Sequence, residues 1–382
     1  MIRKGDVQWW VLEARKHPES APAIIEELAG RLTALDAENE RLREQIIRLQ
    51  HHPATASGPD APADQAGEQV SALRREVATL RGLLQGEASG EPTAVFLLDR
   101  SPAARMALSQ VREVTGEKGS LPRRVVSSGV HLVLARAQDE VLLLTDHGRG
   151  VRRPVDDIPL LMGPQEWPDG AGPALEEDER ITAVAAVAEP PRFWTLVTRR
   201  GYVRQLIRID FDRRVEKGDR LIESPARNDV PVALVDGDRG DLLVITRWGR
   251  GVRFPQRSID AQGAFALQLD PDDEVVAALV LTADVEVLVA TASGFAVRLN
   301  TARLAPRTRP GGKGSSLIRA FDVQDAFVSE PHARLLYLTY SGKLALAPVD
   351  DIPLVTRSAK GARVRSLDRD PAVAIALLPG AF

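Results

Sequence analysis

The chain has 382 residues and a near-balance of 50 Lys and Arg against 53 Asp and Glu, for a formal net charge of −3. It contains no cysteine, which excludes disulfides, thiol catalysis and thiolate metal sites. No apolar run approaches the roughly 18 residues of a membrane helix, and no secretory leader is visible, so the sequence predicts a cytoplasmic protein without membrane contact.

Residues 1–50 are predicted to be helical and to carry a coiled-coil seam. Apolar residues follow 3-4 spacing, which is typical of a coiled coil. Asn39 is the polar exception, at an a position, where a buried amide pairs with its own copy in a parallel two-stranded coil. The predicted dimerisation residues are Ile25, Leu28, Leu32, Leu35, Asn39, Leu42, Ile46 and Leu49. The alternative is one amphipathic helix lying on the rest of the protein.

Two further segments precede the main domain. Residues 51–67 lack periodicity and are rich in Pro and Gly, which predicts a flexible linker. Residues 68–86 return to 3-4 spacing and are predicted to form a second coiled-coil segment. The 17-residue linker lets this segment either extend the parallel coil or fold back on the first helix.

Residues 92–382 are organised by a repeated phrase of four apolar residues, Thr, two variable residues and Gly. The threonines are separated by 53, 48, 45 and 48 residues and are Thr145, Thr198, Thr246, Thr291 and Thr339. A weaker sixth copy starts at residue 94. Repeats of ~40–50 residues with four short strands are typical of blades around an axis. The fold class predicted is mainly β, a six-bladed β-pinwheel behind an N-terminal α-helical coiled coil.

The expected strand order comes from the fifth repeat. Its four strands are predicted at residues 274–281, 285–290, 295–299 and 315–320, with a tight glycine turn between the second and third. The first repeat begins at its second strand, whereas residues 372–378 look like an unpartnered first strand. We therefore expect residues 372–378 to pair beside residues 94–98 and to close the ring, which removes an exposed sheet edge.

Basic residues recur at and just past each turn. Closing the ring would set them along one edge, and arginine suits two phosphate oxygens at once. The predicted DNA contacts of this kind are Arg149, Arg152, Arg153, Arg199, Arg200, Arg204, Arg250, Arg253, Arg298 and Lys343. The alternative is that these side chains pair with Asp and Glu on neighbouring strands.

The turns, the phrases at residues 263–269 and 361–367, and the segment Arg309-Pro-Gly-Gly-Lys-Gly314 together resemble the C-terminal β-pinwheel of the gyrase A family, which includes topoisomerase IV relatives. The resemblance implies a nucleoid-associated domain that binds duplex DNA around a basic rim and bends or wraps it. The family's wrapping box is matched by Arg309, Gly311, Gly312, Lys313 and Gly314. Thr308 and Pro310 replace its glutamine and second arginine.

No catalytic motif accompanies the repeats, so neither catalysis, nor a cofactor, nor a metal is expected. The predicted function is a non-catalytic, DNA-binding homodimer that contacts duplex DNA without sequence specificity. The alternative is a protein-interaction scaffold that binds topoisomerase subunits or other partners through the pinwheel or the N-terminal helices.

Overall fold

The structure is a computed structural model. It describes residues 92–98, 103–116, 120–121, 129–161, 167, 175–176, 178–356, 358–363, 367 and 369–380. The chain divides into two compact units, Met1–Arg75 and Glu76–Phe382. The predicted coiled-coil segments and linker lie outside the described residues.

The described residues form six sheets, which we call blades one to six in chain order, with two α-helices between strands. Within these sheets the strand pairing is antiparallel except for one short parallel pair in blade five. Blades one to three contain β1 (Thr93–Leu98), β2 (Ala104–Ala107), β3 (Val130–Ala135), β4 (Glu140–Thr145), β5 (Gly150–Pro154), β6 (Ile181–Val187), β7 (Phe193–Thr198), β8 (Tyr202–Ile207) and β9 (Pro231–Asp236). The helices are α1 (Leu108–Gly116) and α2 (Arg208–Lys217).

Blades four to six complete the set, and four very short strands belong to their connections. The longer strands are β10 (Asp241–Thr246), β11 (Arg250–Pro255), β13 (Val275–Leu281), β14 (Glu286–Thr291), β15 (Phe295–Asn300), β17 (Val323–Val328), β18 (Arg334–Thr339), β19 (Leu344–Pro348) and β22 (Ala372–Leu378). The short ones are β12 (Ala264–Phe265), β16 (Ser315–Ser316), β20 (Leu354–Val355) and β21 (Ala362–Arg363).

Each blade is a hairpin plus an inner strand that comes later in the chain. In blade four the hairpin is β10–β11, and β13 pairs with the free side of β10. The repeat pattern predicted β13 in the same blade as β14, and that assignment is wrong because β14 pairs instead with β15 and β17. A repeat fixes the spacing of strands but not their pairing, since moving every partner by one repeat leaves the pattern unchanged.

The outer strand of a blade is lined by a short segment from the following repeat, which we call its edge segment. Ser315–Ser316 pair with β11 in blade four, and Ala264–Phe265 pair with β8 in blade three. Ala362–Arg363 pair with β15 in blade five, and Arg220 bridges Arg149 in blade two. Neighbouring blades are thus held together by backbone hydrogen bonds as well as by apolar packing.

The ring is closed by the same exchange. Ser120, from the first repeat, bridges Lys343 in blade six, and the Leu121 amide donates to the Gly342 carbonyl at 2.8 Å. The final strand β22 pairs with β18, so the expected pairing of residues 372–378 with residues 94–98 is wrong. β22 completes blade six and packs against β3 of blade one, which closes the ring without a shared sheet.

The core lies between adjacent blades. The first strand of each hairpin is the middle strand of its blade and is covered on both faces by neighbouring sheets. The four residues Leu242–Ile245 of β10, for example, are fully buried. Strands buried on both faces read as continuous apolar runs instead of alternating patterns. This burial explains the four apolar residues that open the repeats of blades two, four, five and six. In blade three, buried Thr195 takes one of these places and donates a hydrogen bond to Gln256. Within the described part of the chain, no helix has the length and apolar character needed to cross a membrane.

Candidate nucleic-acid interface

Each hairpin turn is built by its threonine and glycine. In all five intact repeats the buried threonine Oγ1 accepts the amide four residues on, at 2.9–3.3 Å. The glycine amide donates to the threonine carbonyl at 2.9–3.1 Å. The turn glycines have φ between 70° and 86°, a left-handed conformation that side chains resist. All five turns therefore present the residues around them in the same geometry.

A carboxylate that the repeat phrase does not include fixes four of these turns. It accepts the amide of the residue before the glycine at 2.8–3.0 Å, and the acids are Asp229, Asp273, Asp322 and Asp370. Burial alone would raise the pKa of Asp370, but hydrogen bonds from Ser341 and Thr339 outweigh it and lower the pKa. The sequence signal is an acid just ahead of each inner strand. These acids have a structural role at the turns.

Half of the ten predicted turn and outer-strand cations are ion-paired. Arg253 is the clearest case, with 10% of its side chain exposed and Asp241 and Asp284 each at 2.7 Å. The other pairs are Arg149 with Glu176 and Glu179, Arg152 with Asp212 and Glu140, Arg199 with Glu274, and Arg298 with Glu286. For these five the alternative interpretation, pairing with neighbouring carboxylates, describes the geometry.

The other predicted cations make no ion pair with any described residue. Arg200, Lys343, Arg309 and Lys313 are exposed, and Arg153 and Arg204 are half-buried. Arg250 donates from Nη1 to the Lys313 carbonyl at 3.0 Å. Of these seven cations, Arg250, Arg309 and Lys313 lie together at the Arg309–Gly314 phrase.

The Arg309–Gly314 phrase lies in the connection from β15 to β17 and packs against the connection from β11 to β13. The Gly311 amide donates to Ala266, and the Gly312 carbonyl accepts from Gln268, both at 2.8 Å. Gly314 passes so close to the backbone of Gly251 that an added Cβ would lie 2.9 Å from the Gly251 carbonyl oxygen. The glycines thus hold a tight, hydrogen-bonded crossing, and the side chains of Arg309 and Lys313 extend from it into solvent.

Further exposed cations, missed because they lie outside the turns, extend this area. Residues 301–321 contain five Lys and Arg and no acid, and residues 352–367 contain four and no acid. The two segments lie side by side, since the Arg319 amide donates to Ala359 at 2.8 Å. The exposed cations of both segments form what we call the basic edge surface, namely Arg303, Arg307, Arg309, Lys313, Arg319, Lys360 and Arg363.

A channel of about 420 Å³ runs between the six inner strands. Its wall carries Asp325, and burial raises the pKa of Asp325 to about 7, although a hydrogen bond from the Ala326 amide opposes the rise. In the described residues, no group of three or more metal-ligating side chains could hold a metal ion.

Comparison with known proteins agrees with this architecture. Residues 139–163, 240–282 and 286–324 match the family described as DNA gyrase C-terminal domain, beta-propeller. The DNA gyrase A protein of Haloquadratum walsbyi is 26% identical over 95% of this chain and 47% of its own length. The alignment with a solved DNA gyrase A C-terminal domain covers 75% of this chain and 100% of the solved domain, with a TM-score of 0.60 and 16% identity. The C-terminal domain of DNA topoisomerase IV covers 76% of this chain and 94% of that domain, with a TM-score of 0.54 and 17% identity.

The six interlocked blades define the class of propeller-like β-pinwheel domains. Within that class, the expected resemblance is confirmed: the chain carries a domain like the C-terminal domain of DNA gyrase A. The chain spans about half the length of the Haloquadratum relative.

Proposed function

We propose that the pinwheel binds duplex DNA through the basic edge surface, without reading sequence. The observation that carries the proposal is the pair of adjacent segments with nine cations and no acid, on a domain whose total charge is close to balance. Lys and Arg on phosphates supply position and affinity but no base code. Contact along a curved rim favours bending of the DNA, and wrapping would need the contact to continue around more blades.

The crossing at residues 309–314 is the centre of this proposal. Its backbone is fixed by hydrogen bonds to Ala266 and Gln268, so the cations at either end start from a rigid frame. Arg250 donates to the Lys313 carbonyl and fixes the same loop from the outer strand of blade four. A preformed frame lowers the ordering cost of binding.

A salt-dependent titration of duplex DNA tests the proposal. Affinity should fall with salt at a log-log slope of about −0.9 for each phosphate neutralised, and changing Arg309 and Lys313 to Ala should flatten it by up to about two units. The control is Arg208→Ala with Lys217→Ala, two exposed cations on α2, which should leave the slope unchanged. An unchanged slope for the Arg309 and Lys313 variant, or no duplex binding at low salt, contradicts the proposal.

We also propose that residues 20–50 hold two copies of the chain together in a parallel coiled coil. The support is the 3-4 seam with Asn39 at an a position. Two pinwheels on one dimer would contact DNA together, which raises apparent affinity without a new contact. Sedimentation at micromolar concentration should find a dimer, and a monomer rejects this assembly. Replacing Asn39 with Ile should raise thermal stability and loosen the choice of oligomer.

A further inference from the structure

The turn ends of the blades carry exposed aromatic rings that binding to duplex phosphates does not explain. In the described residues, three aromatic side chains are strongly exposed: Phe321 at 75%, Tyr340 at 49% and Phe265 at 44%. All three lie in or beside a hairpin turn. In a duplex the base faces are stacked on one another, and only backbone and base edges are accessible. An exposed ring face is suited to stacking on an unpaired base.

Phe321 is held in place by its neighbours. Its ring meets the Trp248 ring edge-on, with centroids 5.7 Å apart and planes at 80°. Trp248 is part of the blade-four turn, and the amide of Val323 donates to the carbonyl of Arg247 in the same turn at 3.0 Å. Asp322 accepts the Ser293 amide of the blade-five turn at 3.0 Å. The exposed ring is therefore fixed between two rigid turns.

The charges around Phe321 favour a polyanion. Arg319, two residues away, is exposed and makes no ion pair with any described residue. The nearby acids are engaged: Glu274 pairs with Arg247 at 2.9 Å, and Asp322 is bound by the Ser293 amide. Phe265 repeats the arrangement in blade three, where its ring lies 5.5 Å from Tyr202 and the turn contains exposed Arg200.

We infer that the aromatic turn pairs Trp248–Phe321 and Tyr202–Phe265 form a second nucleic-acid site that binds single-stranded DNA, with bases stacked on Phe321 and Phe265 and phosphates on Arg319 and Arg200. Base stacking on an aromatic ring combined with cations along the backbone is the usual mode of sequence-tolerant single-strand binding. The inference goes beyond the proposed duplex binding, which shares the cation Arg319 but needs no exposed aromatic side chain.

Fluorescence anisotropy with three probes tests the inference: a 20-nucleotide oligo-dT, an abasic oligonucleotide of equal length and charge, and a duplex. The parent should bind oligo-dT about tenfold more tightly than the abasic strand. Phe321→Ala should lose about tenfold for oligo-dT, Phe321→Trp should retain binding, and both should bind duplex within twofold of the parent. Ile209→Ala removes an equally exposed apolar side chain, 76% exposed on α2, and should change nothing.

Two results overturn the inference: equal affinity of the parent for oligo-dT and the abasic strand, or normal oligo-dT binding by Phe321→Ala. Thermal melting of each variant checks that the six-bladed domain is folded, and removal of so exposed a side chain should leave the melting temperature unchanged. If the parent binds duplex but not oligo-dT, only the single-strand site fails. If it binds oligo-dT but no duplex, the proposed function fails and the single-strand site stands.

Discussion

Arg149 and Arg250 occupy the same position, directly after the turn glycine of blades two and four, and have different surroundings. Arg149 pairs with Glu176 at 2.5 Å and with Glu179 at 3.1 Å. Arg250 contacts the carbonyl of Lys313 and has no carboxylate partner among the described residues. One residue type in one turn geometry is thus a structural ion pair in one blade and part of a basic area in another.

The difference arises in the connections that lead from an outer strand to the next inner strand. Residues 162–179 of the second repeat contain six acids and no Lys or Arg, whereas residues 301–321 of the fifth contain five Lys and Arg and no acid. The turns are alike because they build the fold. The connections differ in charge, and we expect that difference to decide where on the ring an anion binds.

The largest expected effect is on the free energy of unfolding, because the turn of blade four is packed more tightly than the turn of blade two. An added Cβ at Gly249 would overlap the Ile318 carbonyl oxygen, whereas at Gly148 it would lie 2.9 Å from the Ile222 carbonyl oxygen. Both positions are left-handed. Gly249→Ala should cost about 3–5 kcal/mol and Gly148→Ala about 2 kcal/mol, measured by denaturant unfolding. Equal losses would remove this difference between the regions.

The next effect is a pH dependence, because the two regions bury their acids differently. Glu179 has Arg149 beside it, whereas Asp325 has no cation partner among the described residues and a pKa raised to about 7. The folded state then holds a proton that the unfolded state releases. Stability should fall as pH rises from about 4 to 7, by about 4 kcal/mol, and level off above that.

Asp325→Asn should remove that fall, with unfolding free energies measured between pH 4 and 8. Arg250→Ala serves as the control, since it removes one hydrogen bond to a backbone carbonyl, leaves no buried acid without its cation and should therefore keep the slope. A slope that survives in Asp325→Asn assigns the pH dependence to another group.

Replacing Arg149 or Arg250 with alanine compares blades two and four directly. Arg149→Ala leaves the buried Glu179 carboxylate without its cation and should cost about 1–3 kcal/mol. Arg250→Ala removes one partly exposed hydrogen bond and should cost under about 1 kcal/mol. Unfolding measures the first loss, and duplex titration should show the reverse ranking. Similar stability losses for both would show that the ion pair in blade two adds little.

The smallest difference is expected at the turn threonines. Thr145 Oγ1 donates to Glu179 at 2.5 Å and accepts the Arg149 amide at 3.3 Å, whereas Thr246 Oγ1 accepts the Arg250 amide at 3.2 Å without a carboxylate partner. Replacing either with Val keeps the shape and removes the hydroxyl. Thr145→Val should be the more damaging by about 1 kcal/mol. Equal melting temperatures for the two variants would contradict that ranking.

The repeat phrase was enough to predict the blades, their number and the turns, because each threonine and glycine has a local role that its own repeat satisfies. The strand partners were not predictable, since the assignment of β13 depends on a neighbour one repeat away. Of the basic edge surface, the sequence patterns singled out Arg309 and Lys313 but not Arg319 or Lys360. Those two lie outside the repeated phrase, and only the folded ring brings their segments together.

The bridge between Ser120 and Lys343 has a consequence for synthesis on the ribosome. Blade six takes its edge segment from the first repeat, so the segment at Ser120 emerges long before its partner strand exists. Pairings between residues so distant in sequence form slowly, and unpaired strand edges are prone to aggregate meanwhile. Folding of the ring should therefore end with a late closure step that waits for blade six, and until then the edge segment of the first repeat has no partner strand.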